Sequence, residues 1–353
     1  MLWNDIYITA TASWLPERVS VEDALSAGQY ASEDAERHDH LSVTVTDPSD
    51  NVADLWTRAG QAAIARSGYT RDGIDLLLCT ATFGAGIDGW NAAAYVQRQI
   101  AADGCLATEL RGASNGSLLA MELAAAYLTA HTAPTTAVIT AGDLFPMPYF
   151  DRWRADRILF GDGAAAAVLS NRDGFARIVA MATHSDATLE GLHRADEPIG
   201  PFNPEVKYPI DLRSRSRWFQ ETTMAKEEIR RRMDIGLVTA ARQAVEESGI
   251  PLDRIDHVVV PHLGKRLIHS QVLAPLGITT LDRSTWEFSR RIGHLGPADQ
   301  LAGLDHLADS GALRPGQHVL LIGLGAGYTW SCAVLEITSD PAWPTTHHGH
   351  AGS

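Results

Sequence analysis

The segment Gly112–Gly116 reads Gly-Ala-Ser-Asn-Gly and opens directly into "SLLAMELAAAYL", an apolar, Ala-rich stretch with the character of a buried helix. A hydroxyl at the mouth of such a helix has two uses. Ser114 can accept a hydrogen bond from an unpaired N–H of the first turn, as an N-cap. It can also be a nucleophile, with small neighbours that let a substrate carbonyl approach the backbone. The second use carries a condition. A helix N-terminus stabilises negative charge by only about 1 kcal/mol, far too little to ionise a serine. The hydroxyl therefore needs a general base within hydrogen-bond reach, and that base usually needs an orienting carboxylate.

An internal duplication supplies a framework for such an arrangement. "ARSGYTRDGIDLLLCTA" (Ala65–Ala81) and "EESGIPLDRIDHVVVPH" (Glu246–His262) share Ser, Gly, Asp, Ile and Asp at positions 181 residues apart. In each copy an amphipathic helix, over about 54–66 and about 233–247, stops at Gly68 or Gly249 and gives way to an apolar strand, Leu76–Leu78 or Val258–Val260. The same offset carries Gly112 onto Gly293 of "IGHLGPADQLAGLDHLADSG", a second turn opening a helix over about 298–308. The strand "TTAVITAG" likewise has a later counterpart in "QHVLLIGLGAG". The chain is thus expected to comprise two α/β halves, roughly 1–170 and 171–340, followed by a disordered tail, 341–353. Continuous apolar strands flanked by helices predict a central, mostly parallel sheet covered on both faces. Equivalent ends converge in a duplicated fold, so Ser114, His262 and His294 are expected to meet.

Composition narrows the rest. The chain has 353 residues, with 29 Lys and Arg against 43 Asp and Glu, a net charge of −14 that argues against nucleic acid or an anionic membrane as partner. The arginines from Arg213 to Arg217 and from Arg230 to Arg232 read as a solvated surface, with a phosphate-bearing cofactor as the other option. Cys79, Cys105 and Cys332 lack the spacing of a metal site or a disulfide framework, and Cys79 and Cys105 read as small core residues. No apolar run approaches a membrane span, and "MLWNDIYITA" lacks a basic leader segment, so the expected compartment is the cytoplasm. "GLGAG" (Gly323–Gly327) continues into "YTWSCAVLEI", a strand where a dinucleotide loop would open a helix, and no cofactor or metal is expected.

With these residues placed, the chain resembles the ketoacyl-acyl-carrier-protein synthase III family of the thiolase superfamily over nearly its whole length. The resemblance rests on five segments in the same order: "SWLPERVSVEDAL", "GIDLLLCTATFG", "LFGDGAAAAVL", "VVVPHLGKRLI" and "GLGAGYTWSCAVL". It implies an α/β thiolase fold, layered αβαβα, that forms a homodimer and acts on acyl-coenzyme A or acyl carrier protein. It also implies that His262 is a catalytic histidine, that the N–H groups of Ser114 and Gly327 form an oxyanion hole, and that His193 lines the acyl tunnel and could assist the serine.

Two departures from the family pattern matter. The nucleophilic cysteine is replaced by Ser114, and the active-site asparagine by His294, with Asp299 five residues on. This combination resembles a natural-product branch that moves acyl groups in polyketide and antibiotic pathways. The expected set is Ser114 as nucleophile, His294 or His262 as base, and Asp299 orienting the imidazole. A plain acidic residue in a first helical turn is the alternative for Asp299. Transfer through an acyl-serine is the leading expectation, since an ester is a weaker electrophile toward a carbanion than a thioester. Decarboxylative condensation with a malonyl thioester follows it, then thioester hydrolysis or a non-catalytic partner subunit.

Overall fold

The computed structural model describes residues 1–85, 87, 89–155, 158–199, 207–341 and 343. The principal elements of the first half are β1 (Tyr7–Trp14), β2 (Arg18–Ser20), β3 (Ser42–Thr44), α1 (Val52–Ser67), β4 (Leu76–Thr80), α2 (Ala92–Ile100), β5 (Leu106–Leu110), α3 (Gly116–Thr129), β6 (Thr136–Asp143) and β7 (Gly163–Ser170). Those of the second are β8 (Ala176–Ser185), α4 (Lys226–Ser248), β9 (His257–Val259), α5 (Asp299–Asp309), β10 (His318–Gly325) and β11 (Thr329–Ile337). Helices α1 and α4 stop where the sequence predicts, at Gly68 and Gly249, both left-handed.

The strands lie in the order β5-β4-β6-β7-β1-β8-β11-β10-β9, apart from the small β2–β3 ribbon. The order from β4 to β1 is repeated, in mirror sense, from β9 to β8. A parallel bridge from Val258 to Ser284 stands where β5 pairs with β4 in the first half. Within the sheet the halves meet where β1 pairs with β8, Tyr7 with Arg177 and Ile8 with Ala176.

The expected mostly parallel sheet is not what forms. β4 runs parallel to β5 and β6, and β9 to β10, but the other pairings are antiparallel. The reason is connectivity. A helix crossover returns the chain in the same direction, whereas β7 follows β6, and β11 follows β10, without a helix between them. Flanking helices in the sequence reveal coverage of a strand but not the direction of its neighbour.

The layers follow from where the apolar surface lies. Helix α1 packs on β1, β6 and β7, and α4 packs on β8 and β11. Helices α3 and α5 touch strands of both halves and each other. A helix between two sheets must be apolar nearly all round. In α3, Leu118, Ala120, Met121, Ala124, Ala125 and Leu128 are fully buried, and α5 is buried from Asp299 to Leu304. Each large side chain so buried contributes roughly 1.5–3 kcal/mol, and the alanines let the layers approach closely. This is the αβαβα arrangement, with the N-termini of α3 and α5 in its centre.

Most of the expected disordered tail lies outside the described residues. Trp343, however, stacks edge-on against Phe175 with ring centroids 5.1 Å apart and donates to Asp309 at 3.0 Å. No helix among the described residues is long and apolar enough to cross a membrane.

Close packing of α4 on β11 generates a stability test. A Cβ at Gly236 would lie 2.3 Å from the buried ring of Trp330. Gly236→Ala is expected to cost about 1–3 kcal/mol through overpacking, read as a lower urea midpoint. An unchanged midpoint would contradict this packing.

Candidate active site

Ser114 does not cap the central helix. A 3₁₀ turn, Ala113–Asn115, precedes α3, and no side chain makes the cap bond at the helix start. The plain N-cap reading therefore fails. Ala113 holds φ at +46°, a left-handed conformation that costs a non-glycine residue on the order of 1 kcal/mol. The turn lifts the Ser114 hydroxyl away from its own helix and toward the second half. There Oγ lies 2.7 Å from Nε2 of His294.

The other nitrogen of His294, Nδ1, lies 2.6 Å from Oδ2 of Asp299. Ionised Asp299 can only accept, so Nδ1 carries the proton and Nε2 presents its lone pair to the serine O–H. This is a Ser–His–Asp chain with each bond in the range that proton transfer requires.

Asp299 is wholly buried at the first position of α5. Its carboxylate also accepts from the backbone N–H of His262 at 2.7 Å and that of Leu295 at 2.8 Å, and Nδ1 of His262 lies 3.3 Å from Oδ1. Burial alone would raise its pKa. The neighbouring imidazoles and N–H donors outweigh burial, and the net shift is downward. The alternative of an ordinary solvent-facing helix-start acid does not fit a residue so enclosed.

His262, the other candidate base, bonds elsewhere. Its Nδ1 donates to the Gly293 carbonyl at 3.0 Å, and Nε2 has no partner among the described residues. Complete burial lowers its pKa, against the pull of Asp299, so it is neutral near pH 7. The geometry selects His294 as the group facing the serine, while His262 braces Asp299.

Backbone pairing fixes His294. Its N–H donates to Leu159 O at 2.8 Å, and its carbonyl accepts from Gly161 N at 3.0 Å. A Cβ at Gly161 would lie 2.1 Å from Ile292 O, so this approach needs glycine. Asp162 anchors the same segment through a two-point ion pair with buried Arg152, at 2.9 and 3.0 Å. The Gly-Asp-Gly motif thus positions the histidine without touching the serine.

Gly327 lies in the β10–β11 turn, and Tyr328 beside it has its ring 5.5 Å from that of His193. Nε2 of His193 is 3.4 Å from the Tyr328 hydroxyl, and His193 lies outside the hydrogen-bonded Ser114–His294–Asp299 chain. The three cysteines are buried, and burial raises Cys79 and Cys332 to about 12 and Cys105 to about 11, so none supplies a thiolate.

Two family models, both described as 3-oxoacyl-[acyl-carrier-protein] synthase III, match residues 108–187 and, for the C-terminal part, 245–337. A solved structure described as ChlB3, an acyltransferase, is 36% identical and superposes with a TM-score of 0.88 over 96% of this chain and 99% of its own. The chain belongs to the 3-oxoacyl-[acyl-carrier-protein] synthase III family. It is an acyltransferase of that family, with the thiolase fold. Acetoacetyl-CoA synthase NphT7 of a Streptomyces species is 28% identical over 335 residues, 93% of this chain and 98% of its own. The β-ketoacyl-[acyl-carrier-protein] synthase III of Escherichia coli is 27% identical over 348 residues, again 93% and 98%.

Two residues escaped sequence reasoning. Asn115, visible in the Gly-Ala-Ser-Asn-Gly turn, is fully buried and donates to Thr329 Oγ1 at 3.2 Å and Ser331 Oγ at 2.8 Å. Asp143 ends β6 and accepts from the N–H groups of Thr82 and Phe83 at 2.7 and 3.2 Å, with burial pushing its pKa up to about 7. Only a polar residue at the end of an apolar strand hinted at it.

The Asp299–His294 bond generates a kinetic test. Asp299→Asn would turn an N–H toward Nδ1 and force the tautomer whose Nε2 cannot accept from the serine. Single-turnover acylation is expected to slow by about 10²–10⁴-fold. A rate within a few-fold of wild type would contradict the assignment.

Proposed function

We propose that this enzyme carries a short acyl group from a coenzyme A or carrier-protein thioester, through an acyl-Ser114 ester, to a carrier-protein thiol or a small hydroxyl or amine acceptor. The Ser114–His294–Asp299 chain, with contacts of 2.7 and 2.6 Å, is the observation that carries this reading. His294 takes the serine proton as Oγ attacks the thioester carbonyl, and Asp299 steadies the imidazolium. The backbone N–H groups of Ser114 and Gly327 receive the developing oxyanion, with the N-terminus of α3 adding its dipole. His294 then protonates the leaving thiolate. Deacylation repeats the steps in reverse, with His294 activating the acceptor.

Histidine tautomers favour transfer over decarboxylative condensation. An enolate needs an N–H donor. His294 commits its Nδ1–H to Asp299, and His262 commits its Nδ1–H to Gly293 O, which leaves both Nε2 atoms as lone pairs. His262 serves this mechanism by holding Asp299. His193, beside Tyr328, is assigned to the acyl-binding wall.

The serine in place of cysteine and the resemblance to a natural-product branch support a place in polyketide or antibiotic assembly, and the likeness to ChlB3, described as an acyltransferase, supports transfer. A homodimer is part of the same proposal. β5 is an edge strand with Leu106 56% exposed, a surface suited to pairing with its own copy.

A chase experiment tests the choice of reaction. Acyl-loaded enzyme, freed of donor, is offered malonyl-carrier protein, unloaded carrier protein, and small thiol, hydroxyl and amine acceptors in separate reactions. The acyl group is expected to move intact to the unloaded carrier or a small acceptor without release of carbon dioxide. A 3-oxoacyl product with stoichiometric carbon dioxide would replace transfer by condensation.

A further inference from the structure

We infer that Asn115 is a positioning residue that clamps the two sides of the oxyanion hole together, an inference that rests on the acyl-Ser114 reading. The two proposed donors come from different halves of the chain. Ser114 N belongs to the turn before α3, and Gly327 N to the β10–β11 hairpin. Their separation depends on what holds turn to hairpin, and the carboxamide of Asn115 spans that gap. Its Nδ2 donates to Thr329 Oγ1, two residues beyond Gly327, at 3.2 Å and to Ser331 Oγ at 2.8 Å.

Backbone packing points the same way. A Cβ at Gly325 would lie 2.6 Å from Gly112 O and 2.7 Å from Asn115 Cβ, so the end of β10 rests directly on the nucleophile turn. The hydroxyl chain continues from Ser331 to Thr183 at 2.7 Å and from Thr183 to Glu122 of α3 at 2.6 Å. The clamp is therefore anchored at both ends of one circuit: α3, turn, β11, β8 and back to α3. The strained Ala113 conformation needs such over-determination to persist. Asn115 bonds to neither His294 nor Asp299 in this network, so its effect falls on the oxyanion and not on the base.

The test compares Asn115→Ala, the double variant Thr329→Val/Ser331→Ala and the triple variant with wild type, by rapid-quench acylation with a short acyl-CoA well below the melting temperature. Asn115→Ala is expected to slow the acylation step about 10- to 100-fold, less than outright loss of an oxyanion donor, with donor affinity unchanged within two-fold. The double variant is expected to lose a similar factor. The triple variant should lose no more, because all three remove one interaction. A lowered melting point with an unchanged acylation rate would make Asn115 merely structural and overturn the inference, as would additive losses or a loss confined to donor affinity. Should Asn115→Ala fail to fold, the double variant alone decides by the same criteria. Failure of wild type itself to form an acyl-Ser114 adduct would instead overturn the underlying mechanism, and this inference with it.

Discussion

One buried carboxylate organises the centre of this enzyme. Asp299 is removed from water at the junction of the two halves, where an unpaired charge would cost several kcal/mol. Its stability there depends on three surrounding N–H groups, the backbone of His262 and Leu295 and the Nδ1 of His294, with the His262 ring close by at 3.3 Å. Satisfying Asp299 fixes the end of the segment after β9, the turn before α5 and the tautomer of His294 together. The placement of the imidazole that faces Ser114 follows from solving that solvation problem.

The exchange of cysteine for serine makes sense on these terms. A thiol at a helix N-terminus can be brought near ionisation by the dipole and a neighbouring imidazole. A serine must instead lose its proton during attack, so it requires a base already aimed at it. In the proposed mechanism His294, at the family's active-site asparagine position, is that base, and Asp299 sets its orientation. The two departures from the family pattern and the buried aspartate form one hydrogen-bonded unit.

Much of this was legible in the sequence. Identical residues 181 positions apart revealed the duplication, the resemblance placed Ser114, His294 and His262, and Asp299 followed from its position five residues after His294. Strand direction was not legible, because helix-flanked apolar strands look alike in parallel and antiparallel neighbours. Which histidine faces Ser114 needed the hydrogen bonds of the Gly293–Asp299 turn. Asn115 was hidden by its ordinary type, since a turn asparagine is usually explained by its own backbone. Its partners, Thr329 and Ser331, lie more than 200 residues away in sequence, beyond any local pattern.

The most direct measurement of the central claim is intact-protein mass spectrometry of wild type and Ser114→Ala after incubation with short acyl-CoA, malonyl-CoA and acyl-carrier-protein thioesters. The expected result is a single acyl adduct on wild type, localised to the peptide containing Ser114 and absent from the variant. An adduct that persists in Ser114→Ala, or none with any donor, would contradict the acyl-serine mechanism.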